Sequence, residues 1–269
     1  MLEKIKETAE FIQGKVTIRP EVGIILGTGL GGLVRDIKNQ QVLEYKMIPN
    51  FPLSTVDGHS GKLIFGDLGG KKVVAMQGRF HYYEGYDMKQ VTFPVRVMKL
   101  LGINHLFVSN ASGGVNPEFE IGDLMIINDH INLIPNPLVG PNMAELGARF
   151  PDMSDAYDKS LIALAKEVAS KNGIKVQEGC YVGTTGPTFE TPKEYQYFRI
   201  IGGDTVGMST TPEVIVARHM KLPVFAISII TDLGVPGKIQ VVTHEEVQEI
   251  GKQAEKKMTL IMEEMMQKL

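Results

Sequence analysis

The chain has 269 residues, of which 43% are hydrophobic and 22% are charged, with 28 basic and 31 acidic side chains. This composition is typical of a globular protein with a substantial core, and a formal net charge of -3 gives no general reason to expect a nucleic acid or an acidic membrane as partner. The single cysteine, Cys180, cannot form an internal disulfide, and residues 1–6 lack the apolar core of a signal peptide. We therefore expect a cytoplasmic protein.

Short apolar runs bounded by turn residues predict a series of β-strands, over 22–26, 62–65, 73–76, 106–109, 124–127, 181–184 and 224–230. Gly69 and Gly70 predict a hairpin between the second and third strands, so the sheet should be mixed rather than wholly parallel. No linker, charge block or repeat divides the chain. The sequence therefore predicts one α/β domain over residues 1–269, with a central mixed β-sheet flanked by helices.

Helices are predicted from apolar spacing and from their first residues. Residues 161–169 are amphipathic, and a final helix has apolar residues three and four apart, at Val247, Ile250, Ala254, Met258, Ile261 and Met265. The segments 191–194 and 243–246 are capping boxes, and Thr211 followed by Pro212 predicts a third helix start. The methionine-rich segment 258–266 is predicted to pack as a helical stripe rather than to form a partner-binding groove.

The densest group of reactive side chains lies in residues 77–86, directly after the predicted strand 73–76. It contains the cation of Arg79, the imidazole of His81, the phenol of Tyr83 and the carboxylate of Glu84. In open α/β sheets ligands bind at this edge. The segment is therefore predicted to bind an anion and a sugar. Polar residues at the predicted helix starts could complete such a site, namely Glu190, Ser209 and His244.

A glycine-rich loop, residues 27–32, follows the first strand and satisfies the pattern G-x-G-x-x-G. Taken alone it suggests a nicotinamide cofactor and an NAD-dependent oxidoreductase. Residues 33–36 do not predict a long crossover helix, however, and no second strand ends in an acidic residue at the required distance. The loop is better suited to holding one phosphate through the Thr28 hydroxyl and neighbouring amides, or to making a tight turn without a ligand.

Six ordered motifs together resemble the trimeric class of purine nucleoside phosphorylases. They lie at residues 27–31, 58–61, 79–86, 110–114, 186–191 and 207–213, and the resemblance covers most of the chain. It implies the nucleoside phosphorylase fold and a homotrimer. It also implies reversible phosphorolysis of purine ribonucleosides and 2'-deoxyribonucleosides to free base and pentose 1-phosphate, with inorganic phosphate as co-substrate and no cofactor.

The resemblance also implies a role for individual residues. Phosphate would be bound by Thr28, His59, Arg79, His81, Ser209 and the backbone of Ala111. Ribose would contact Tyr83, Met208, His244 and, from a neighbouring subunit, Phe150. The purine would contact Phe189, Glu190, Val206, Thr231 and Asp232. Catalysis would depend on His81, Glu190 and Asp232. Without the resemblance, a surface ion pair would explain Arg79, and structural hydrogen bonds would explain His59 and His81.

Asp232 departs from the family pattern, because members acting on inosine and guanosine usually carry asparagine there. An amide donates to the purine O6 while accepting from N7–H, whereas an ionised carboxylate has no donor for O6. We expect inosine and guanosine as substrates, with 6-aminopurine nucleosides left open by Asp232. Methylthioadenosine phosphorylase, which also has aspartate here, is the nearest alternative, although His244 suits a 5'-hydroxyl better than a methylthio group.

Two further classes are disfavoured by the residues present. A non-catalytic nucleoside-binding protein would not need the phosphate residues from Thr28 to Ser209. A metal enzyme is not indicated, because the chain has no H-E-x-x-H motif and no pair of C-x-x-C motifs. His105, His130 and His219 lie in apolar stretches typical of structural histidines. We predict no metal requirement.

Overall fold

The computed structural model describes residues 1–28, 30–53, 55–56 and 60–269. Over these residues it shows a nine-stranded mixed sheet. The strands are β1 (Val22–Leu26), β2 (Lys38–Glu44), β3 (Lys62–Leu68), β4 (Lys71–Gln77), β5 (His105–Gly114), β6 (Leu124–Asn132), β7 (Val176–Gly183), β8 (Thr205–Gly207) and β9 (Val224–Leu233). The predicted α/β class is confirmed.

The sheet has an open half and a closed half. In the open half, β2, β3 and β4 are antiparallel, and the hairpin turn between β3 and β4 lies at Gly69 and Gly70, as predicted. The strands β4, β1, β5 and β9 are successive parallel neighbours. In the other half, β5, β8, β7, β6 and β9 close into a ring. The carboxyl ends of the four parallel strands therefore meet at one edge.

The helices are α1 (Leu2–Lys15), α2 (Met88–Val91), α3 (Phe93–Leu101), α4 (Lys159–Lys171), α5 (Pro192–Ile200), α6 (Thr211–His219) and α7 (His244–Lys268). Both predicted capping boxes form, at the starts of α5 and α7. The prediction that Thr211 caps α6 is wrong by one residue. The cap position is Thr210, at φ 68°, and its side chain makes no capping hydrogen bond.

Burial explains which elements the sequence revealed. All five residues of β1 are buried, and the predicted methionine stripe of α7 is confirmed, because Met258, Met262, Met265 and Met266 are fully buried. The strand β2 was not predicted because most of its residues are exposed and polar. The strand β8 is only three residues long. Within the described part of the chain, no helix is long and apolar enough to cross a membrane.

Gly27, at the end of β1, is required by the close approach of β5. A Cβ atom at this position would lie 2.8 Å from the Ser109 carbonyl oxygen and 2.9 Å from the Asn110 Cα, both backbone atoms that cannot rotate away. A side chain here would have to separate the two strands. Because β1 and β5 approach closely at Gly27, the polar residues that follow the two strands also lie close together.

We predict that Gly27→Ala lowers the free energy of unfolding by about 1–3 kcal/mol, the usual cost of overpacking. Gly14→Ala is the matched control, since Gly14 lies in α1 and a Cβ there would meet no atom within 4 Å. The control should gain up to about 1 kcal/mol of helix propensity. Urea denaturation measures both, and equal stability of the two variants would contradict the close approach.

Candidate active site

A cavity of about 310 Å³ opens where the four parallel strands end. Each of the four strands, or the loop after it, supplies a lining residue: Thr28 after β1, Arg79 after β4, Ala111 in β5 and Asp232 in β9. The volume is in the range of small-molecule sites, and the position is the ligand-binding edge of an open α/β sheet. Strand β8 and the starts of α5 and α7 complete the wall.

One end of the cavity, here called the arginine end, is built around a buried ion pair. Arg79 is 2% exposed, and its Nε lies 3.2 Å from Oε1 of Glu213, which is equally buried in α6. Its Nη1 donates to Ser209 Oγ at 2.9 Å. The guanidinium is therefore fixed by an acid on one side and a hydroxyl on another. A planar cation held in this way can present its remaining N–H groups to an anion.

His81 lies beside Arg79 and is oriented by Glu84. The His81 Nδ1 is 3.0 Å from Glu84 Oε1, and the ring stacks on Tyr83 with centroids 4.6 Å apart. Burial raises the pKa of Glu84, but hydrogen bonds from His81 and Thr55 outweigh it and lower the pKa to about 2. Burial, with the nearby Arg79 charge, lowers the pKa of His81. An ionised Glu84 accepts from Nδ1–H, which leaves Nε2 of a neutral His81 as an acceptor.

Behind the arginine end, buried hydroxyls and amides form a continuous hydrogen-bonded network. Ser228 Oγ donates to Asn110 Oδ1 at 2.7 Å, and Asn110 Nδ2 donates to Thr210 Oγ1 at 2.9 Å. The Thr210 and Ser209 hydroxyls are 3.1 Å apart. Thr210, whose φ is positive, uses its side chain in this network and makes no capping hydrogen bond to α6. Ser209 is thereby directed toward Arg79.

A second part of the cavity lining, here called the acid end, contains the two carboxyl groups of Glu190 and Asp232. Asp232 is 8% exposed, and it accepts from Thr231 Oγ1 at 3.0 Å and from the Tyr195 hydroxyl at 3.3 Å. The Thr184 hydroxyl donates to Glu190 at 3.4 Å. Burial, reinforced by the charges of Asp232 and Glu194, raises the pKa of Glu190 to about 7. Burial also raises the pKa of Asp232, against the hydrogen bonds from Thr231 and Tyr195.

The cavity is also lined by Tyr83, Met208 and His244. His244 is the first residue of α7, so the capping box that begins this helix also fixes where the imidazole starts. A Cβ atom on Gly186 would overlap the Met208 sulfur and approach Tyr83. Glycine at 186 therefore allows the thioether and the phenol to pack together beside the cavity.

Most predicted site residues are brought together in this one cavity. It is lined by Thr28, Arg79, His81, Ala111 and Ser209, by Tyr83, Met208 and His244, and by Phe189, Glu190, Val206, Thr231 and Asp232. His59 lies outside the described residues. Phe150 is not in the cavity of its own chain. It is 87% exposed and lines a separate surface depression with Val139 and Met153.

Two residues that matter to the geometry were not predicted from the sequence. Glu213 was part of a recognised motif, but its pairing with Arg79 joins segments 134 residues apart, since 213 minus 79 is 134. Tyr195 lies on the buried face of α5 with Phe198, three residues along, which is the spacing of a core position. In the sequence, the only signal for a role of Tyr195 was a tyrosine on an apolar helix face shortly after Glu190 and Glu194. The explanation of Arg79 as a surface ion pair is wrong, because the pair is buried.

The remaining histidines make structural hydrogen bonds, as predicted. His130 Nδ1 is 3.0 Å from the Tyr157 hydroxyl, and His219 Nε2 is 3.2 Å from Asn142 Oδ1. His105 Nδ1 is 2.7 Å from Asn104 Oδ1. Among the described residues, no cluster of three or more His, Cys, Asp or Glu side chains is arranged to hold a metal ion.

A family model described as the Phosphorylase superfamily matches residues 21–267, and the chain belongs to this superfamily. Purine nucleoside phosphorylase 1 from Geobacillus stearothermophilus is 56% identical over 90% of this chain and 89% of its own length. Within the superfamily, the chain is therefore a member of the purine nucleoside phosphorylase family.

Solved structures agree with this placement. A Schistosoma mansoni purine nucleoside phosphorylase in complex with adenosine is 47% identical, with a TM-score of 0.95 over 100% of this chain and 98% of its own. A structure of the enzyme from the same organism in complex with inosine is 46% identical, with a TM-score of 0.94 over 100% of this chain and 97% of its own. The nucleoside phosphorylase fold implied by the motifs is confirmed.

We predict that Glu213→Gln destabilises the protein by about 3 kcal/mol, because removing one charge of a buried pair leaves the other uncompensated. Glu167→Gln is the matched control, since Glu167 is 66% exposed and pairs with Lys268 at the surface. That change should cost less than about 1 kcal/mol. Urea denaturation of both variants checks the difference, and similar losses would show that the Arg79 pair contributes no more than a surface one.

Proposed function

We propose that this protein catalyses the reversible phosphorolysis of purine ribonucleosides and 2'-deoxyribonucleosides, giving free base and pentose 1-phosphate. One observation carries the proposal: a single cavity is lined both by a fixed, buried guanidinium and by two carboxyl groups. This arrangement suits a ligand pair with an anion beside a base. Relatives of high identity over nearly their whole length bear the same activity in their names.

We assign phosphate to the arginine end. The Arg79 fork would bind two phosphate oxygens, while the hydroxyls of Thr28 and Ser209 and the amide at Ala111 would bind the others without adding charge. His81, neutral and held by Glu84, can accept a proton from the phosphate at Nε2. His59, by family resemblance, would also contact phosphate.

In the proposed reaction, a phosphate oxygen forms a bond to C1' as the C1'–N9 bond breaks. The bonding electron pair leaves with the purine, and the ribose becomes cationic at C1' in the transition state. The phosphate dianion stabilises this cation from one face, and the acid end stabilises the charge or proton gained at the purine N7. No covalent enzyme intermediate, metal or cofactor is required.

We assign ribose to the middle of the cavity, with His244 bonding the 5'-hydroxyl and with Tyr83 and Met208 packing on the sugar. Phe150 is too exposed to serve its own chain and would reach the sugar of a neighbouring subunit in a homotrimer. Phe150 and Val139, which are 87% and 73% exposed, line the same surface depression, and adjoining exposed apolar side chains are typical of an interaction surface. The trimer and the cytoplasmic location remain predictions from the sequence.

The alternatives have less support. The glycine-rich loop leads into a short 3-10 helix, Gly31–Arg35, and then into the antiparallel edge strand β2, so the β-α-β unit of a nicotinamide site is not formed. A methylthioadenosine phosphorylase would not need a polar His244 at the sugar. The relatives of high identity are named purine nucleoside phosphorylases.

We predict that base release from inosine requires added phosphate, and that Arg79→Lys raises the KM for phosphate at least about tenfold. Lysine keeps the charge beside Glu213 but loses the planar fork. Arg19→Lys, on the surface, is the control and should leave both constants unchanged. Base release without phosphate, or an unaltered KM in the Arg79 variant, would contradict the assignment.

We predict that Asp232→Asn lowers the ratio of adenosine to inosine kcat/KM by about tenfold. The amide supplies a donor for O6 that an ionised carboxylate lacks, while its N–H groups oppose the 6-amino group. Steady-state turnover of both nucleosides at saturating phosphate measures the ratio. An unchanged ratio would remove Asp232 from base selection.

A further inference from the structure

The acid end holds two carboxyl groups, of which Asp232 is buried and Glu190 half-buried, and the phenol of Tyr195. The following inference rests on the proposed function. The Tyr195 hydroxyl donates to Asp232 at 3.3 Å. Burial and the negative charges of Asp232 and Glu190 raise the pKa of this phenol. Tyr195 is 3% exposed. Its ring packs so tightly against Gly234 that a Cβ atom there would overlap it. The phenol is therefore fixed beside Asp232.

The groups around this cluster supply hydrogen bonds rather than positive charge. Thr231 in β9 donates to Asp232, and Thr184, after β7, donates to Glu190. Glu194 in α5 adds a further negative charge. Strand β5 contributes Gly113, where a Cβ atom would lie 2.7 Å from Asp232 Oδ2. From α7, His244 faces the same cavity.

The two classes of purine base present opposite patterns of hydrogen-bond donors and acceptors to these carboxyl groups. A 6-oxopurine carries a donor at N1–H and an acceptor at O6, whereas a 6-aminopurine carries an acceptor at N1 and a donor at its amino group. The first base is matched by an ionised Glu190 facing N1 and a protonated Asp232 facing O6. The second is matched by a protonated Glu190 and an ionised Asp232. Both arrangements contain one proton and one negative charge.

We propose that Glu190 and Asp232 share a single proton, that its location selects between 6-oxopurine and 6-aminopurine nucleosides, and that Tyr195 biases this location. By donating to Asp232, Tyr195 favours the ionised form of that residue and hence the 6-aminopurine arrangement. Tyr195 is thus a positioning residue, acting through the acids. The site accepts both base classes without rearranging its backbone.

Electrostatics supports one shared proton. Burial raises the pKa of both acids, and the charge of Asp232 raises the pKa of Glu190 further, to about 7. Two buried carboxylates that repel one another in this way retain a proton between them below that pH. Burial raises the pKa of Tyr195, and the negative charges of Asp232 and Glu190 raise it further. The phenol therefore stays protonated and remains a donor.

The test compares Glu190→Gln with Asp232→Asn at saturating phosphate. Glutamine cannot hold the proton as an acid, which leaves Asp232 ionised, so the adenosine-to-inosine ratio of kcat/KM should rise by about tenfold. Asparagine leaves Glu190 ionised, so the ratio should fall by a similar factor. Shifts of opposite sign are the expected signature. Shifts in the same direction, or loss of both activities in Glu190→Gln, would overturn the proposal.

Tyr195→Phe keeps the ring and removes the hydroxyl, so the ratio should fall about threefold as the proton moves toward Asp232. Tyr197→Phe is the matched control on the same helix, because Tyr197 is 51% exposed, and it should leave the ratio unchanged. An unchanged ratio in Tyr195→Phe would remove that residue from base selection.

The pH dependence supplies a readout that lost packing would not alter. In the wild type, turnover of both nucleosides should fall as the pH rises above about 7, because the pair then loses its shared proton. In Asp232→Asn the inosine activity should no longer fall with this ionisation, since the amide keeps its donor. Comparison with wild type at each pH cancels the ionisation of phosphate itself. Persistence of the same fall in Asp232→Asn would contradict a shared proton.

The outcomes separate this inference from the proposed function. If the wild type releases no base from either nucleoside with phosphate present, the phosphorylase function itself fails. If inosine is cleaved but adenosine is not cleaved at any pH, the function stands and the shared proton is overturned.

Discussion

The buried pair of Arg79 and Glu213 is the interaction on which the site depends. Burying a guanidinium that is 2% exposed is costly unless an acid lies beside it, and Glu213 supplies that acid from a helix far along the chain. The pair therefore joins the end of β4 to α6 and fixes where an anion can bind. Ser209, just before α6, is positioned by the same helix start.

The arginine end and the acid end, which lie at one edge of the sheet, differ in how their charged groups are compensated. The arginine end keeps a cation buried by pairing it, and the hydroxyl network around Asn110 satisfies the neighbouring polar groups. At the acid end, hydrogen bonds stabilise the two carboxylates less than burial disfavours them, so the pKa of both carboxyl groups is raised. An anion is thus attracted to one end, while the other can retain a proton for a leaving base.

Local signals in the sequence were sufficient for the α/β class, the hairpin and the two capping boxes, because buried apolar runs and helix caps depend on near neighbours. Strand β2 was not predicted, because an exposed edge strand needs no apolar run. Thr210 was not predicted as the cap position of α6, because its side chain makes no capping hydrogen bond and instead accepts one from Asn110, 100 residues earlier. The segment 77–86 and the polar residues at helix starts were predicted from the residues themselves, and the individual roles were inferred from family resemblance. The contacts of Glu213 and Tyr195 join distant segments and are seen only in the structure.

The most direct test of the account is a crystal structure of the protein with phosphate and a purine base bound together. The account predicts phosphate within hydrogen-bonding distance of Arg79 and Ser209, and the base edge within hydrogen-bonding distance of Glu190 and Asp232. Phosphate at another position, or a base that makes no contact with the two acids, would contradict it.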